Sequence, residues 1–577
     1  MSLPTKLLSA PEVATLLGVE LDTLYRYARK GQLRGVKIGK LWRFYEIDVE
    51  HFVHARLYVS GSSQNGTWAS TLPDVLHDAS RAGAPGALIC GPVQSSYAEV
   101  DVLSDRLARA LIAKGVGPGD RVLTVLPNSV EFVIACFAAW KARAVVVPEY
   151  SAIRAANLAH ILGDCAPAAL IVDHNLAEQL ESMPEALSSV EAIFIKDRTF
   201  SLSGLDRIEV ESLDAILERE AHAHVALPDG ATPDEAASIT YTSGSTGMPK
   251  GVINTHESWL AGAMFTRDYP RLTASDRMVI SLPLHHGFAF RQMLAYILAN
   301  GTFVIASDIY QALKLLREQR PTALLLVPAA CNIAIDHFAP VLKEADSFLR
   351  YVEIGSAAIA PERLQQLRDL LPTTDVHLPY GLTEARVGFL TQGPDGLLNR
   401  ITTISPGLEL SVVDADGRPV TPGEIGEIKL RGRGLMKGYW GRPRSEYQAL
   451  RNDGFRTGDM ARVDTNGDVV LLGRIDAMLK VGGRKVNPSE VEMALNRHSG
   501  VVESAVAGVP DPNGILENEL HAFVVLHRGA TLTETELLAH CRQLIEPYKV
   551  PARIHFRTSL PKSPVGKILR HALPNST

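Results

Sequence analysis

The chain has 577 residues, 46% of them hydrophobic and 21% charged, and a formal net charge of −6. That length is too great for one core, so several domains are expected, and the mild acidity excludes a general electrostatic pull toward nucleic acid or membrane. The five cysteines, Cys90, Cys136, Cys165, Cys331 and Cys541, are scattered with no Cys-x-x-Cys pair, which argues against a disulfide framework or a zinc site and for reduced thiols in a cytoplasmic protein. The longest apolar stretches, residues 132–140 and 323–330, are too short to cross a bilayer, and the N-terminus lacks the charged-then-apolar pattern of a signal peptide.

Charge is unevenly placed. Residues 1–58 carry nine Lys/Arg against six Asp/Glu, a local net of +3, which marks a separate basic module. Ser9 with Glu12 reads as a capping box that opens a helix. Val13, Leu16 and Leu17 form its apolar face, and Gly18 stops it. Residues 21–30 read as a second helix with Leu24 and Tyr27 inward. Residues 36–44 read as a two-stranded ribbon turning at Gly39 and Lys40, and residues 46–56 as a third helix. The expected core is Leu16, Leu24, Ile38, Trp42 and Phe52. This layout resembles the excisionase and MerR-type winged helix-turn-helix DNA-binding domains. The resemblance implies that Thr23, Arg26 and Arg29 face DNA and that Lys37, Lys40 and Arg43 meet phosphates; a packing domain that kept only the fold is the alternative. Residues 59–66, with their Gly and Ser, read as a linker.

From residue 67 to 475 amphipathic helices alternate with short apolar strands, the mark of α/β architecture. Helical spacing covers residues 104–114 and 130–141, and strands are expected at 121–127 and 144–148. The apolar run 236–240 reads as a buried strand entering residues 241–251, YTSGSTGMPKG. Glycines there let successive N–H groups turn toward an anion. Thr242, Ser243, Ser245 and Thr246 add hydroxyls, Gly244 and Gly247 remove Cβ atoms, and Lys250 adds a positive charge. Such a loop suits a polyphosphate. It is not a Walker A loop, because Pro249 precedes the lysine and Gly251 follows it.

Four further motifs follow in order: Leu282-Pro-Leu-His-His-Gly287, Val352-Glu-Ile-Gly-Ser-Ala-Ala358, Tyr380-Gly-Leu-Thr-Glu384, and Thr457-Gly-Asp459 with Gly473-Arg-Ile-Asp476. With the phosphate loop they resemble the class I adenylate-forming superfamily, which contains acyl- and aryl-CoA synthetases, peptide-synthetase adenylation domains and firefly-type luciferases. The resemblance implies a large multi-subdomain α/β domain and a small mobile α+β C-terminal domain over residues 476–577. It implies that Gly355, Ser356 and Ala357 contact adenine, that Tyr380 stacks on it beside Gly381, and that Thr383 bonds phosphate. Glu384 would coordinate Mg²⁺, a hard cation suited to a carboxylate plus substrate phosphates. Asp459 would accept both ribose hydroxyls and Arg474 approach the ribose or phosphate. His286, next to His285, would gate the acyl pocket. Asp476 would be the hinge, Lys480, Gly482 and Gly483 the face turned in for thioester formation, and Lys567, rather than the nearby Lys562, the catalytic lysine of adenylation.

The implied chemistry is carboxylate attack on the α-phosphorus of ATP with loss of pyrophosphate, then thiolate attack on the mixed anhydride with release of AMP. The expected function is therefore an ATP-dependent carboxylic acid–CoA ligase acting on an aromatic or fatty acid. Residues 287–290 lack the aspartate that grips an α-ammonium group, which points to an acid with an apolar body. Three alternatives stay open: an enzyme loading an acyl carrier protein, a luciferase-type oxygenase, and a DNA-binding regulator using the ligase domain as an acid sensor.

Overall fold

The computed structural model describes residues 7–17, 21, 24–25, 36–38, 41–45, 49, 70–196, 207–219, 222–242, 249–357, 359–392, 398–442, 450–451, 453–465, 467–475, 479–481, 484–486, 488–509, 519–527, 529–562 and 568–573. The chain falls into two compact units, Met1–Ala69 and Ser70–Thr577.

In the first unit, β1 (Leu7–Ser9) leads into α1 (Ala10–Leu17), followed by β2 (Val36–Ile38) and β3 (Leu41–Tyr45). The capping box forms: the Ser9 backbone N–H donates to Glu12 Oε2 at 2.7 Å, and the Glu12 N–H to Ser9 Oγ at 3.4 Å. Two expectations need correction. The ribbon has a third strand, because β1 pairs antiparallel with β3 on the side away from β2. Leu16 is 66% exposed and stands outside the core. Ala10, Val13 and Ala14 share one helical stripe at i, i+3, i+4, and Leu16 falls off it. The core is Leu8, Ala10, Val13, Ala14, Leu24, Phe44 and Val49, with Tyr25 and Trp42 packed against it. Leu21, Leu24 and Tyr25 are helical. Thr23, Arg26, Arg29, Lys40 and Phe52 lie outside the described residues, and of Lys37 only the backbone, in β2, is described. Arg43 is half-buried and donates to the Trp42 carbonyl at 3.2 Å.

The second unit is built on two large sheets. Among the described residues the first has eight strands, in the order Glu209–Ser212, Ala192–Lys196, Ala169–Asp173, Arg121–Val125, Val145–Pro148, β4 (Ala236–Thr242), β5 (Lys250–Thr255) and Gly438–Tyr439. Its strands are parallel up to β4 and antiparallel beyond. The helix Val130–Lys141 is buried on nearly all sides, as its unbroken apolar run requires. Its Trp140 indole N–H donates to the Ala237 carbonyl at 2.8 Å and so holds β4 in place.

The second sheet has a parallel half, Ala87–Cys90, Thr302–Ile305, Arg277–Ile280, Ala323–Leu326, β6 (Tyr351–Ile354) and β7 (Asp375–Leu382). It turns antiparallel at β8 (Ala385–Gln392) and continues through Leu398–Ile404 to β10 (Val469–Arg474), β9 (Gly454–Val463), Ile425–Gly432 and Leu408–Val413. The two-residue turn between β7 and β8 is Thr383–Glu384, so the change from parallel to antiparallel pairing falls on predicted site residues.

Toward the C-terminus, Val501–Val509, Glu519–Leu526 and Arg553–Arg557 form a small three-stranded sheet. The helices Pro488–Asn496 and Glu534–Leu544 share its core. No helix among the described residues is long and apolar enough to cross a membrane.

Candidate active site

The phosphate-loop strands form a hairpin. β4 and β5 pair antiparallel, and their last pair places Thr242 opposite Lys250 at its mouth. The Thr242 hydroxyl donates to the Lys250 carbonyl at 3.5 Å. The base is held from the side: Tyr241 donates to Asp164 at 2.5 Å, and His160 Nε2 lies 3.1 Å from the Pro249 carbonyl. Gly251 is required by crowding, since a Cβ there would sit 2.6 Å from Ile239 and 3.1 Å from Trp440. Ser243, Gly244, Ser245, Thr246 and Gly247 lie outside the described residues.

A second group assembles around the Thr383–Glu384 turn. The Tyr380 hydroxyl donates to Asp459 Oδ2 at 2.5 Å, and both side chains are buried, at 8% and 6% exposure. Burial and the adjacent Asp459 push the Tyr380 phenol well above its ordinary pKa, so it stays a donor. β9 and β10 pair Asp459 with Arg474 across the ladder, 3.5 Å between charged atoms. Arg474 also donates to the Thr457 carbonyl at 2.8 Å. Gly381 is held between strands, where a Cβ would meet the Ala385 carbonyl at 2.9 Å. The Thr383 carbonyl faces the Asn254 amide at 3.4 Å. Glu384 is half-buried and accepts from the Tyr439 hydroxyl at 3.0 Å.

The third group comes from α3 (Gly287–Leu298), which follows α2 (His256–Asp268). His286 caps α3, accepting the Phe288 N–H at 3.4 Å. Burial, then the nearby Arg291 charge, lowers its pKa to about 4; burial, then His286, lowers that of His285 to about 3. Both rings are neutral near pH 7. The His285 ring packs 5.4 Å from Tyr150.

α3 lies along β6 in three rungs. Phe288 covers Gly355, Gln292 lies against Glu353, and the Tyr296 and Tyr351 hydroxyls meet at 3.0 Å. Four helical residues rise ~6 Å and two strand residues ~6.6 Å, so i, i+4 on the helix matches i, i+2 on the strand. A Cβ on Gly355 would be 2.7 Å from the Phe288 ring and 2.9 Å from Pro379. Ser356 holds a left-handed φ of 71° and Ala357 is exposed. A non-glycine residue in that region signals strain, which concentrates at working sites. Gly355→Ala is expected to displace Phe288, lower stability by ~1–3 kcal/mol through overpacking, and raise the KM for the acid. A thermal melt read beside acid-dependent pyrophosphate exchange checks both.

Asp476, Gly482, Gly483 and Lys567 lie outside the described residues, as does the Lys480 side chain; the Lys480 backbone runs in the strand Leu479–Val481. The described residues that flank Lys567 are anchored. Lys562 and Ile568 form an antiparallel bridge, the Leu569 N–H donates to the Pro561 carbonyl at 2.9 Å, and Arg570 grips Glu492 with two bonds of 2.7 and 2.8 Å. Lys562, the rival lysine, is paired with Glu503 at 2.7 Å.

Sequence reasoning missed Asp164, Tyr439, Arg291 and the Glu353–Gln292–Arg386 cluster. One signal was available. Glu353 is a charge inside an otherwise apolar strand, and buried carboxylates need a reason. Among the described residues no group of three or more His, Cys, Asp or Glu could hold a metal by itself. Glu384 instead offers a single carboxylate at the turn, the donor type that suits a cation arriving with phosphates.

Comparison with known proteins agrees with this arrangement. The family model for AMP-binding enzymes matches residues 77–440, that for the AMP-binding enzyme C-terminal domain residues 490–567, and a helix-turn-helix domain model residues 7–56. A feruloyl-CoA synthase of Amycolatopsis sp is 32% identical over 83% of this chain and 93% of its own length. The fatty acid–[acyl-carrier-protein] ligase ScoC of Streptomyces coeruleorubidus is 29% identical over 84% and 92%. ATP-bound MatB from Rhodopseudomonas palustris superposes with a TM-score of 0.77 at 26% identity, over 88% of this chain and 98% of that one. With the AMP-binding family model covering more than half its length, the chain belongs to the AMP-binding enzymes.

Proposed function

We infer that the protein is an ATP-dependent carboxylic acid–CoA ligase working through an acyl-adenylate. The observation that carries this reading is the Tyr380–Asp459–Arg474 group, with every residue of the nucleotide pattern present in the sequence. Carboxylates are weak nucleophiles, so the protein's task is to position the acid and neutralise charge. Thr242 and Lys250 at the hairpin mouth, with Ser243, Ser245 and Thr246 between them, hold the phosphates. Asp459 offers acceptor oxygens to the ribose, and Thr383 reaches a phosphate. Glu384 would hold Mg²⁺, which supplies charge neutralisation on the phosphates. Lys567 completes adenylation. Movement at Asp476 then brings the Lys480–Gly482–Gly483 face to the site, and a thiolate takes the acyl group as AMP leaves. His286, neutral at pH 7, borders the acid without adding charge.

ATP–pyrophosphate exchange against a panel of fatty, benzoic and cinnamic-type acids tests the first step, and trapping the product with CoA tests the second. Acid-dependent exchange with CoA thioester and AMP as products is expected. Transfer only to the pantetheine arm of a carrier protein would select the second reading, favoured by the resemblance to ScoC. Exchange with no acid would remove both.

For residues 1–58 the proposal is DNA binding, supported by the local positive charge and the match to helix-turn-helix domains. Deleting residues 1–60 is expected to leave acid activation near the native rate. The whole chain should retard duplex DNA in a gel, less so as salt rises, because each neutralised phosphate releases counterions. Arg26→Ala and Arg29→Ala should weaken that retardation further. No binding at low salt would leave a packing module.

A further inference from the structure

The second rung between α3 and β6 is unlike its neighbours. Glu353 is fully buried, Gln292 is 1% exposed and Arg386 4%. Gln292 and Arg386 both reach Glu353, the latter at 3.4 Å from Oε1. Yet Glu353 Oε2, Gln292 Oε1 and Arg386 Nε have no hydrogen-bond partner among the described residues. Buried polar atoms are nearly always paired, so three open ones on three neighbouring side chains call for an explanation. The walls are aromatic: the Arg386 guanidinium lies 4.6 Å from the centre of the Phe389 ring and 5.9 Å from that of Phe265.

The position is as telling as the chemistry. Tyr351, Glu353 and Gly355 share one face of β6, and Phe288, Gln292 and Tyr296 share one face of α3. Glu353 and Gln292 therefore lie one rung inward from the Phe288–Gly355 contact, ~6 Å from it. His286 stands at the outer end of the same helix. An acid that presents its carboxylate near His286, with its body in the place the Phe288 ring now fills beside Gly355, points its far end at this cluster.

We propose that Glu353, Gln292 and Arg386 form a polar floor to the acid-binding groove, and that it selects an aryl acid carrying a hydroxyl on the far side of its ring. A hydroxyl fits because the floor needs both functions at once: it donates to Glu353 Oε2 or Gln292 Oε1 and accepts from Arg386 Nε. An ammonium group cannot accept, and an alkyl terminus leaves all three atoms unpaired. This inference rests on the ligase reading and adds a polar far end to the expected acid with an apolar body. It narrows the aromatic-or-fatty class to hydroxyaryl acids.

The test uses the full chain and acids in matched pairs: cinnamic against 4-hydroxycinnamic, and benzoic against 4-hydroxybenzoic. The readout is the ratio of kcat/KM in pyrophosphate exchange. A site built to bond a hydroxyl rejects the analogue lacking it by large factors, so a ratio of ~10² or more in favour of the hydroxylated acid is expected in at least one pair. Gln292→Met and Glu353→Gln should each collapse that ratio, and circular dichroism identifies any variant that fails to fold. If Glu353→Gln does not fold, the decision passes to Gln292→Met, which keeps the volume and removes only the amide. Equal rates within every pair, or a preference that survives Gln292→Met, would overturn the floor while leaving the ligase intact. Exchange with no acid at all would overturn the ligase reading and the floor together.

Discussion

Lys567→Ala is expected to cut the rate of acyl-adenylate formation by roughly 10²–10³, as loss of one preorganised charge-stabilising group does elsewhere. Thioester formation from supplied acyl-AMP should proceed near the native rate, because in the proposed mechanism the second step uses the Lys480–Gly482–Gly483 face instead. Lys562 does not compensate: it is engaged with Glu503 at 2.7 Å and lies across the bridge from Ile568. The nearest described residues on either side, Lys562 and Ile568, pair with each other. Single-turnover assays of the two half-reactions separate the outcomes. An equal fall in both would take the lysine out of the adenylation step.

Asp459→Ala is expected to raise the KM for ATP by about 10²-fold. Two losses add. Hydrogen bonds to a charged acceptor are worth ~1.5–3 kcal/mol, and the ribose would lose its carboxylate. The buried Tyr380 hydroxyl would lose its 2.5 Å partner, an unsatisfied group costing ~1–3 kcal/mol that should also appear as a lower Tm. Asp459→Asn keeps an acceptor for Tyr380 and should spare stability more than nucleotide affinity. The KM for the acid should barely move in either variant. A change confined to the acid would place Asp459 on the wrong substrate.

What the sequence made readable was contiguous. The strand entering residues 241–251, the helix over residues 130–141 and the strand at 144–148 all follow from local pattern, and the structure has them, the last as Val145–Pro148. What escaped depends on partners far apart in the chain. Tyr380 and Asp459 are 79 residues apart, Glu384 and Tyr439 are 55, and Glu353 and Arg386 are 33. Their meeting is set by strand order, and above all by the reversal at β8, which no local period encodes. β1 was missed because three residues carry too little alternation to register as a strand. Leu16 was misjudged because it is a large apolar residue just off the helical stripe, where hydrophobicity and geometry disagree and geometry decides.

The tyrosine rung bears on size. Tyr296 and Tyr351 are fully buried, and their hydroxyls meet two helical turns, roughly 12 Å, beyond Phe288. A chain threading between α3 and β6 would have to part that pair and strand two phenols in a dry interior, with burial already holding both far from ionisation. If the acid lies along these rungs as proposed, ring-sized bodies would fit up to the depth of that pair and long alkyl tails would be turned back by it.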